Sequence, residues 1–354
     1  MRLRTLAAEG FRNLRDLSVE FRSPAALFYG ANAQGKTNIL EAVYVLGTTR
    51  SFREHHPENM VAFGTPRATL RGSGESQGIG HAMEVVLEPG EAKSYGRDGS
   101  PVSLRDYVGL MPVVVLSGED RRLAAGPPRH RRDFLDALSV WQRPAHLDAL
   151  MTYGRCLRQR NWLLRTEGTG ARELGAWTET LAAAAGEVRA ARRAVVEGLN
   201  EILAQLGEAF GSGERVRIDY GQDGPDDLKA GLEARAAREA ETGVTAHGPH
   251  RDRIDLLLDG RSLAAFGSSG QVRTALWMVK LAGALLLVEK GAEPPLFLLD
   301  DVEAELDEGR VGRMMGLTRE RVQLLMTSTR PLTSSAGPLQ RFRVESGRVV
   351  DGGE

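Results

Sequence analysis

Gly30-Ala31-Asn32-Ala33-Gln34-Gly35-Lys36-Thr37 is the stretch that decides the fold, because it matches the phosphate-binding pattern GxxxxGK[ST] at every fixed position. Before it, residues 25–29 predict a short buried strand, and after it residues 38–46 predict a helix that ends at Gly47. A strand, a glycine-containing loop and a helix in that order turn backbone N–H groups toward a phosphate at the helix N-terminus. The pattern alone leaves a kinase, a GTPase, a transporter motor and a DNA-repair ATPase open.

The same loop predicts a role for its polar side chains. Lys36 would reach the β- and γ-phosphate oxygens, and the hydroxyl of Thr37 would hold Mg²⁺. The predicted nucleotide contacts are Gly30, Ala31, Asn32, Ala33, Gln34, Gly35, Lys36, Thr37 and Asn38.

Two acidic residues, Asp300 and Asp301, follow four apolar residues at 296–299. An uninterrupted apolar run of this length is typical of a buried parallel strand. Asp300 is predicted to hold Mg²⁺, directly or through its water shell, and Asp301 to align the attacking water as a base. With Lys36, these acids are the predicted catalytic residues.

A second turn suited to an anion precedes a predicted helix at 274–288. Its small residues expose backbone N–H groups at a helix start. A phosphate loop, then this turn, then paired acids is the order found in ABC-type ATPases, in which the turn completes the nucleotide site of a second subunit. The predicted nucleotide contacts of this signature turn are Ser268, Ser269, Gly270 and Gln271.

Of two further positions, one agrees with the ABC-type pattern and the other departs from it. Glu305-Leu306-Asp307 stands where the class has its D-loop. Thr329 stands where the class usually has a histidine that senses the γ-phosphate, and this departure leaves the sensing role open.

Composition excludes several other classes. The chain has 354 residues, 42% hydrophobic and 26% charged, with a net charge of −1. A single cysteine, Cys156, rules out a disulfide framework and favours a cytoplasmic location. We expect no signal peptide, and the most apolar run, 276–288, contains Lys280 and is too short to span a bilayer.

Positive charge is concentrated between residues 118 and 165, where ten arginines oppose five acidic residues, a local net of +5. Basic surface beside an aromatic side chain suits nucleic-acid phosphates, although a solvated cationic face explains it as well. Arg50 and Arg53, close behind the helix that follows the phosphate loop, could contact DNA or a nucleotide phosphate, or simply cap the end of that helix. The candidate DNA contacts are Arg50, Arg53, Arg129, Arg131, Arg132, Arg155 and Arg158.

The pattern of elements predicts an α/β protein with an inserted lobe. Strands are expected in a hairpin at the start of the chain and between 65 and 107, where short apolar runs alternate with glycines. From 118 to 240 the pattern is helical, and a long helix at about 177–210 has apolar residues seven apart, which favours a bundle helix over an extended rod. We therefore predict an ABC-type ATPase lobe at 1–117 and 241–354, a helical lobe at 118–240 and no long coiled coil.

Several stretches resemble the RecF family of bacterial recombination-repair ATPases and span most of the chain. The phosphate loop continues in the manner of RecF and the related chromosome-maintenance (SMC) proteins. The similar stretches are Gly35-Lys-Thr-Asn-Ile-Leu-Glu-Ala42, Thr48-Thr-Arg-Ser-Phe-Arg53, Arg131-Arg-Asp-Phe-Leu-Asp136, Tyr153-Gly-Arg-Cys-Leu-Arg-Gln-Arg-Asn-Trp-Leu-Leu164 and Gly248-Pro-His-Arg-Asp252.

The resemblance implies an SMC-like head and a helical second lobe. It implies an ATP-dependent homodimer that binds DNA at single-strand/double-strand junctions and cooperates with RecR and RecO in loading RecA at gaps. The expected activity is weak, DNA-stimulated ATP hydrolysis used as a switch. The alternatives are the motor subunit of an ABC transporter, which would show no affinity for DNA, and a small-molecule kinase, which has no use for the signature turn.

Overall fold

The computed structural model describes residues 2–54, 56–76, 78–210, 213–291, 294–305, 309, 312, 316–318, 321–332 and 338–352. The chain divides into two units. The first consists of Met1–Arg121 and Leu276–Glu354, and the second of Arg122–Ala275.

An antiparallel sheet forms part of the first unit. Its buried and exposed residues alternate along β1, so that one face packs into the apolar core. The strand order is β2-β1-β4-β5-β6-β7, as expected for the predicted hairpin and for residues 65–107. The strands are β1 (Arg2–Phe11), β2 (Leu14–Glu20), β4 (Ala68–Ser76), β5 (Ile79–Leu87), β6 (Ser94–Arg97) and β7 (Ser100–Val102).

The second sheet of this unit carries the nucleotide motifs. Its order is β15-β14-β3-β13-β12-β8, and all neighbours are parallel except β14 and β15. Both β8 and β12 are buried along their whole length, which explains their uninterrupted apolar sequences. The strands are β3 (Ala25–Tyr29), β8 (Val113–Leu116), β12 (Leu296–Leu299), β13 (Gln323–Ser328), β14 (Gln340–Glu345) and β15 (Arg348–Gly352).

The first unit also contains several helices and turns that lie wholly within it. They are α1 (Lys36–Thr48), α2 (Leu104–Tyr107), α10 (Val302–Glu305) and the 3-10 turns Pro57–Met60 and Gly118–Asp120. The predicted D-loop position falls partly outside the described residues, because Leu306 and Asp307 are not among them.

The sequence predicts that helix α1 ends at Gly47, but the helix extends beyond this residue. It continues to Thr48, and Thr49 caps it in the left-handed conformation by donating its N–H to the Val45 carbonyl. A Cβ on Gly47 would lie 2.4 Å from Val113 Cγ2 and 2.7 Å from the Met111 carbonyl oxygen. Gly47 therefore permits close approach to β8 and its lead-in rather than terminating the helix.

The second unit is a helical bundle with a small sheet of order β11-β10-β9. The long helix α6 packs against α4, α5, α7 and β9, and its predicted apolar repeat at Leu181, Val188, Val195 and Ile202 is buried. The elements are α3 (Arg121–Ala125), α4 (Pro128–Gln142), α5 (His146–Thr166), a 3-10 turn (Gly168–Gly170), α6 (Leu174–Phe210), β9 (Val216–Gly221), α7 (Leu228–Thr242), β10 (Arg253–Leu258), β11 (Arg261–Ser262) and α8 (Leu263–Phe266). Helix α9 (Ser269–Glu289) begins in this unit, and its residues from Leu276 onward belong to the first.

The boundaries of the units differ from the predicted ones at 117 and 240. The first lies at residue 121, and the second lies at residue 275, inside α9. The chain returns to the first unit later than predicted because β10 pairs with β9 of the second unit, from Arg253–Gly221 to Leu258–Val216. Residues 241–275 consequently belong with the helical unit, and the signature turn belongs with them.

Helix α9 is long and apolar enough to cross a membrane by length and composition alone. Within its most apolar window, 78% of the residues are buried inside the protein. The helix therefore has the character of a core helix.

Candidate nucleotide-binding site

The phosphate loop lies between β3 and α1, as predicted, and its backbone requires glycine. Gly30 and Gly35 have φ angles of 150° and 104°. A Cβ on Gly30 would meet the Val344 carbonyl oxygen at 2.5 Å, and one on Gly35 would meet the Asn13 amide at 2.8 Å. Both positions thus exclude other residues through backbone conformation and through lack of space.

The turn between β14 and β15 supports this loop. The Ser346 N–H donates to Gln34 Oε1 at 2.7 Å, and the Gly347 N–H donates to the Gln34 carbonyl at 2.8 Å. Gln34, predicted as a nucleotide contact, uses these two acceptors to fix the loop. Asn32 is exposed, and its carbonyl accepts from Gln34 Nε2 at 3.5 Å.

The side chain of Lys36 is hydrogen-bonded to the backbone of the phosphate loop. Its ammonium donates to the carbonyls of Gly30 and Ala31, each at 2.7 Å. Burial lowers the pKa of Lys36, an effect that the carboxylates of Asp301 and Asp300 oppose. The cation is therefore positioned inside the loop with acidic groups nearby.

Thr37 and the paired acids meet at the carboxyl edge of the parallel sheet. The Thr37 hydroxyl donates to Asp300 Oδ1 at 2.8 Å, and the Thr327 hydroxyl donates to the same oxygen at 2.8 Å. The Asp301 N–H in turn donates to Thr327 Oγ1 at 2.7 Å. Thr327 therefore links both acids. No sequence motif predicts this role, and the only signal for it in the sequence is the position of Thr327 at the end of an apolar strand.

Burial dominates the electrostatics of Asp300. It raises the pKa of this carboxyl, while the hydrogen bonds from Thr327 and Thr37 lower it and the charge of Asp301 raises it further. A carboxylate that is costly to ionise in the protein alone gains from a cation beside it. The hydroxyl of Thr37 and the carboxylate of Asp300 are hard oxygen donors that fit Mg²⁺.

The residues described contain no group of three or more His, Cys, Asp or Glu side chains that could hold a metal ion. Two protein oxygens are nevertheless what Mg²⁺ needs when phosphates and water supply the remaining ligands. The site fits a nucleotide-bound magnesium ion better than a dedicated protein metal centre.

A ring of polar side chains connects the turn after β1 to the start of α1. Arg12 donates to the fully buried Glu41 carboxylate through Nε at 3.0 Å and Nη2 at 2.8 Å. Arg53 lies 3.5 Å from Glu41 and donates to Asn38 Oδ1 at 2.9 Å, while Asn38 donates to Asn13 at 2.8 Å. Asn38 and Arg53, both predicted ligand contacts, are thus also structural members of this ring.

The signature turn begins α9 in the second unit. Ser268 N–H donates to Gln271 Oε1 at 2.9 Å, and Gln271 N–H donates to Ser268 Oγ at 3.3 Å, which is a reciprocal cap. Gln271 also donates through Nε2 to Glu214 at 2.9 Å. Ser269 and Gly270 are exposed at the tip of the turn.

The candidate DNA contacts divide into two groups. Arg131 donates to the carbonyls of Leu123, Ala124 and Gly126 at 3.0–3.3 Å, and Arg132 donates to the Asp252 carbonyl at 3.1 Å. Both side chains thus have partners inside the second unit. The other five candidates are exposed to solvent; they are Arg50, Arg53, Arg129, Arg155 and Arg158.

Part of the local positive charge is internal. Arg160, one of the ten arginines between residues 118 and 165, is fully buried. It donates to Thr178 at 2.9 Å, to Thr245 at 2.9 Å and to Glu239 at 2.6 Å. The net charge of this segment therefore overstates the charge that a ligand would meet.

The fold and site define the head of an ABC-type ATPase of the RecF/RecN/SMC class. The model of the RecF/RecN/SMC N terminal domain matches residues 2–346. A DNA replication and repair protein RecF from Synechococcus sp. (strain JA-3-3Ab) is 34% identical over 362 residues, 97% of this chain and 95% of the relative. The corresponding protein of Geobacter sulfurreducens is 35% identical over 368 residues, 99% of this chain and all of the relative. The chain belongs to the RecF family.

Solved structures agree with this assignment. A structure of the recombination mediator protein RecF-ATP in the RecFOR pathway has a TM-score of 0.91 and 28% identity, covering 100% of this chain and 98% of that one. An Smc head domain from Pyrococcus furiosus, with a TM-score of 0.58 and 15% identity over 98% of this chain and 94% of that one, shares the fold alone. The predicted fold class and family resemblance are confirmed.

Proposed function

We propose that this chain is an ATP-binding switch ATPase of DNA replication and recombinational repair. The observation that carries the proposal is the contact between Thr37 and Asp300, which unites the phosphate loop and the acidic strand end in one site. The likeness to a structure of RecF-ATP supports ATP as the nucleotide.

In this proposal the chain's own residues divide the work. The loop backbone and Lys36 would bind the phosphates, Thr37 and Asp300 would hold Mg²⁺, and Asp301 would accept a proton from the attacking water. When bound, Mg²⁺ neutralises phosphate charge. Thr327 positions both acids through its hydroxyl.

The exposed signature turn supports an ATP-dependent homodimer. Ser269 and Gly270 would approach the γ-phosphate held by a second copy, while the cap between Ser268 and Gln271 fixes the turn. Because ATP would bridge the two copies, binding closes the dimer and slow hydrolysis opens it.

Exposed arginines support DNA as the partner that the switch controls. Arg155 and Arg158 are three residues apart on α5, so they lie on adjacent turns of one helix face. We further propose that the protein acts in the cytoplasm at single-strand/double-strand junctions, with RecR and RecO, in loading RecA. DNA would stimulate its weak ATPase activity.

Light scattering with and without ATP and Mg²⁺ tests the switch. Wild-type protein should dimerise with ATP, Lys36→Met should fail to bind ATP or dimerise, and Ser269→Arg should bind ATP as a monomer without dimerising. Unchanged dimerisation of Lys36→Met would contradict the phosphate-loop role, and full activity of Ser269→Arg would contradict closure by a second copy.

A salt-dependent DNA-binding assay tests the other half of the proposal. Affinity should rise with ATP and fall steeply with salt. Absence of DNA binding in both nucleotide states would favour the transporter-motor alternative, and an accumulating phosphorylated small molecule would favour the kinase.

A further inference from the structure

The end of β13 has a special position in the sheet. This strand lies between β3, which leads into the phosphate loop, and β12, which leads into Asp300 and Asp301. The residues immediately after it, Thr329 and Arg330, therefore follow the strand that separates the two halves of the nucleotide site. We call Thr329 and Arg330 the sensor segment.

A carboxylate of the same unit accepts hydrogen bonds from this sensor segment. Glu303, two residues after Asp301, accepts from both the hydroxyl and the N–H of Thr329, the latter at 3.3 Å. Its other oxygen accepts from Arg330 Nε at 2.9 Å. One side chain thus takes a neutral hydroxyl, a backbone amide and a guanidinium.

These three donors are of the kind that a phosphate group binds. Hydroxyls, backbone N–H groups and arginine together are suited to anionic oxygen, and a carboxylate presents the same charge and acceptors. Although burial acts to raise it, hydrogen bonds from Thr329, Ser328 and Arg330 keep the pKa of Glu303 below its ordinary value. Glu303 is consequently ionised at neutral pH.

Glu303 also acts on the phosphate loop. Its charge is one of those that raise the pKa of Lys36, together with Asp301 and Asp300. Its side chain remains 22% exposed, so it can leave the sensor segment for solvent without being buried elsewhere. Its proximity to the phosphate loop and its partial exposure both suit a carboxylate that an incoming phosphate could replace.

We propose that Glu303 occupies the sensor segment until the γ-phosphate of bound ATP displaces it, and that this exchange sets the preference of the site for ATP over ADP. The inference rests on the proposed nucleotide-binding function. It extends that function by naming what the γ-phosphate must compete with. ADP, which lacks this phosphate, leaves Glu303 in place.

The test is a comparison of ATPγS and ADP affinities, with Mg²⁺, for wild type and Glu303→Gln. Glutamine keeps the shape and an acceptor oxygen but removes the charge. Because charged hydrogen bonds contribute more than neutral ones, ATPγS should bind roughly 3- to 30-fold more tightly while ADP changes less than about twofold. Equal changes for both nucleotides, or weaker ATPγS binding, would overturn the inference.

Two further variants separate displacement from general electrostatics. Glu20→Gln removes an exposed carboxylate of the same unit, which pairs with Arg22, and should leave the ATPγS-to-ADP ratio unchanged. In a Thr329→Val background, the effect of Glu303→Gln on ATPγS should shrink, because a sensor donor is gone. If Glu303→Gln increased ATPγS affinity as much in that background as in wild type, long-range charge alone would explain the increase, and the inference would be overturned.

Failure of the inference is distinguishable from failure of the proposed function. Wild-type protein that binds neither nucleotide would overturn both. Wild-type binding combined with an unchanged nucleotide ratio in Glu303→Gln would overturn the inference and leave the nucleotide-binding function standing.

Discussion

The hydroxyl of Thr37 donates a hydrogen bond to Asp300 across 2.8 Å, although 263 positions separate the two residues along the chain. The sheet brings them together because β3 and β12 are both neighbours of β13 and all three run parallel. Their carboxyl ends consequently meet at one edge, where ligands of open α/β sheets bind. From sequence, the phosphate loop and the paired acids could be assigned to one site only by analogy with ABC-type ATPases. In the structure they are in contact.

The first prediction concerns this pair. Thr37→Ala should weaken Mg²⁺-dependent ATP binding by roughly ten-fold, because it removes a proposed metal ligand and a donor to Asp300. Titration of ATP with excess Mg²⁺ and again with EDTA measures the difference. Thr37→Ser, which keeps the hydroxyl, is the control and should retain most of the Mg²⁺ effect. Equal affinity of Thr37→Ala and wild type with Mg²⁺ would contradict the assigned role.

A second prediction contrasts two helical glycines. Gly47→Ala should reduce the free energy of unfolding by about 1–3 kcal/mol, because its Cβ would press on Val113 and the Met111 backbone. Gly186→Ala in α6 has nothing within 4 Å of its Cβ and should be neutral or stabilising by up to about 1 kcal/mol through helix propensity. Urea denaturation distinguishes them. Stabilisation by both substitutions would contradict the packing argument at Gly47.

The features that sequence could predict are those encoded locally. The phosphate loop needs glycine at positive φ, a lysine and a hydroxyl at fixed spacing, and β12 needs only a fully apolar run before its acids. The long repeat of α6 likewise follows from helical periodicity. These elements lie where the residue pattern placed them.

The features that sequence could not supply depend on tertiary partners. Nothing local marks Thr327 as the link between the acids, or Arg160 as a buried partner of Glu239 rather than a surface charge. The predicted helix end at Gly47 is wrong because a glycine near a helix end is more often a cap than a packing site, whereas Gly47 is a packing site. The second unit boundary shifted because the pairing of β10 with β9 spans a long stretch of helix and loop.

The third prediction is a gain of stability on replacing Asp300, a residue proposed to hold Mg²⁺. Because burial raises the pKa of Asp300, the folded protein holds this proton more tightly than the unfolded chain. Its ionised form therefore costs stability as pH rises through the ordinary aspartate value and up to the raised one. Asp300→Asn should raise the unfolding temperature of ligand-free protein at neutral pH, and the gain should shrink as pH falls below the raised pKa.

Asp98 supplies a control of opposite sign for this experiment. The Ala82 N–H and His81 hold the pKa of Asp98 below its ordinary value, so its ionised form favours folding. Asp98→Asn should lower the unfolding temperature at neutral pH, and the loss should shrink as pH falls. Differential scanning fluorimetry over a pH series measures both variants, and a loss of stability in Asp300→Asn at neutral pH would contradict the argument from burial.

The fourth prediction compares the exposed arginines of α5 with an exposed arginine pair on another helix. Replacing Arg155 and Arg158 together by Gln should weaken binding to double-stranded DNA and reduce the slope of log affinity against log salt by about two units, since each phosphate contact contributes about 0.9. Arg235 and Arg238 have the same spacing and exposure on α7, outside the arginine-rich segment, and their replacement by Gln is the matched control. Fluorescence anisotropy across a salt series supplies the slopes. Equal reduction by both double variants would show that any exposed arginine serves, and that α5 is not the DNA-binding face.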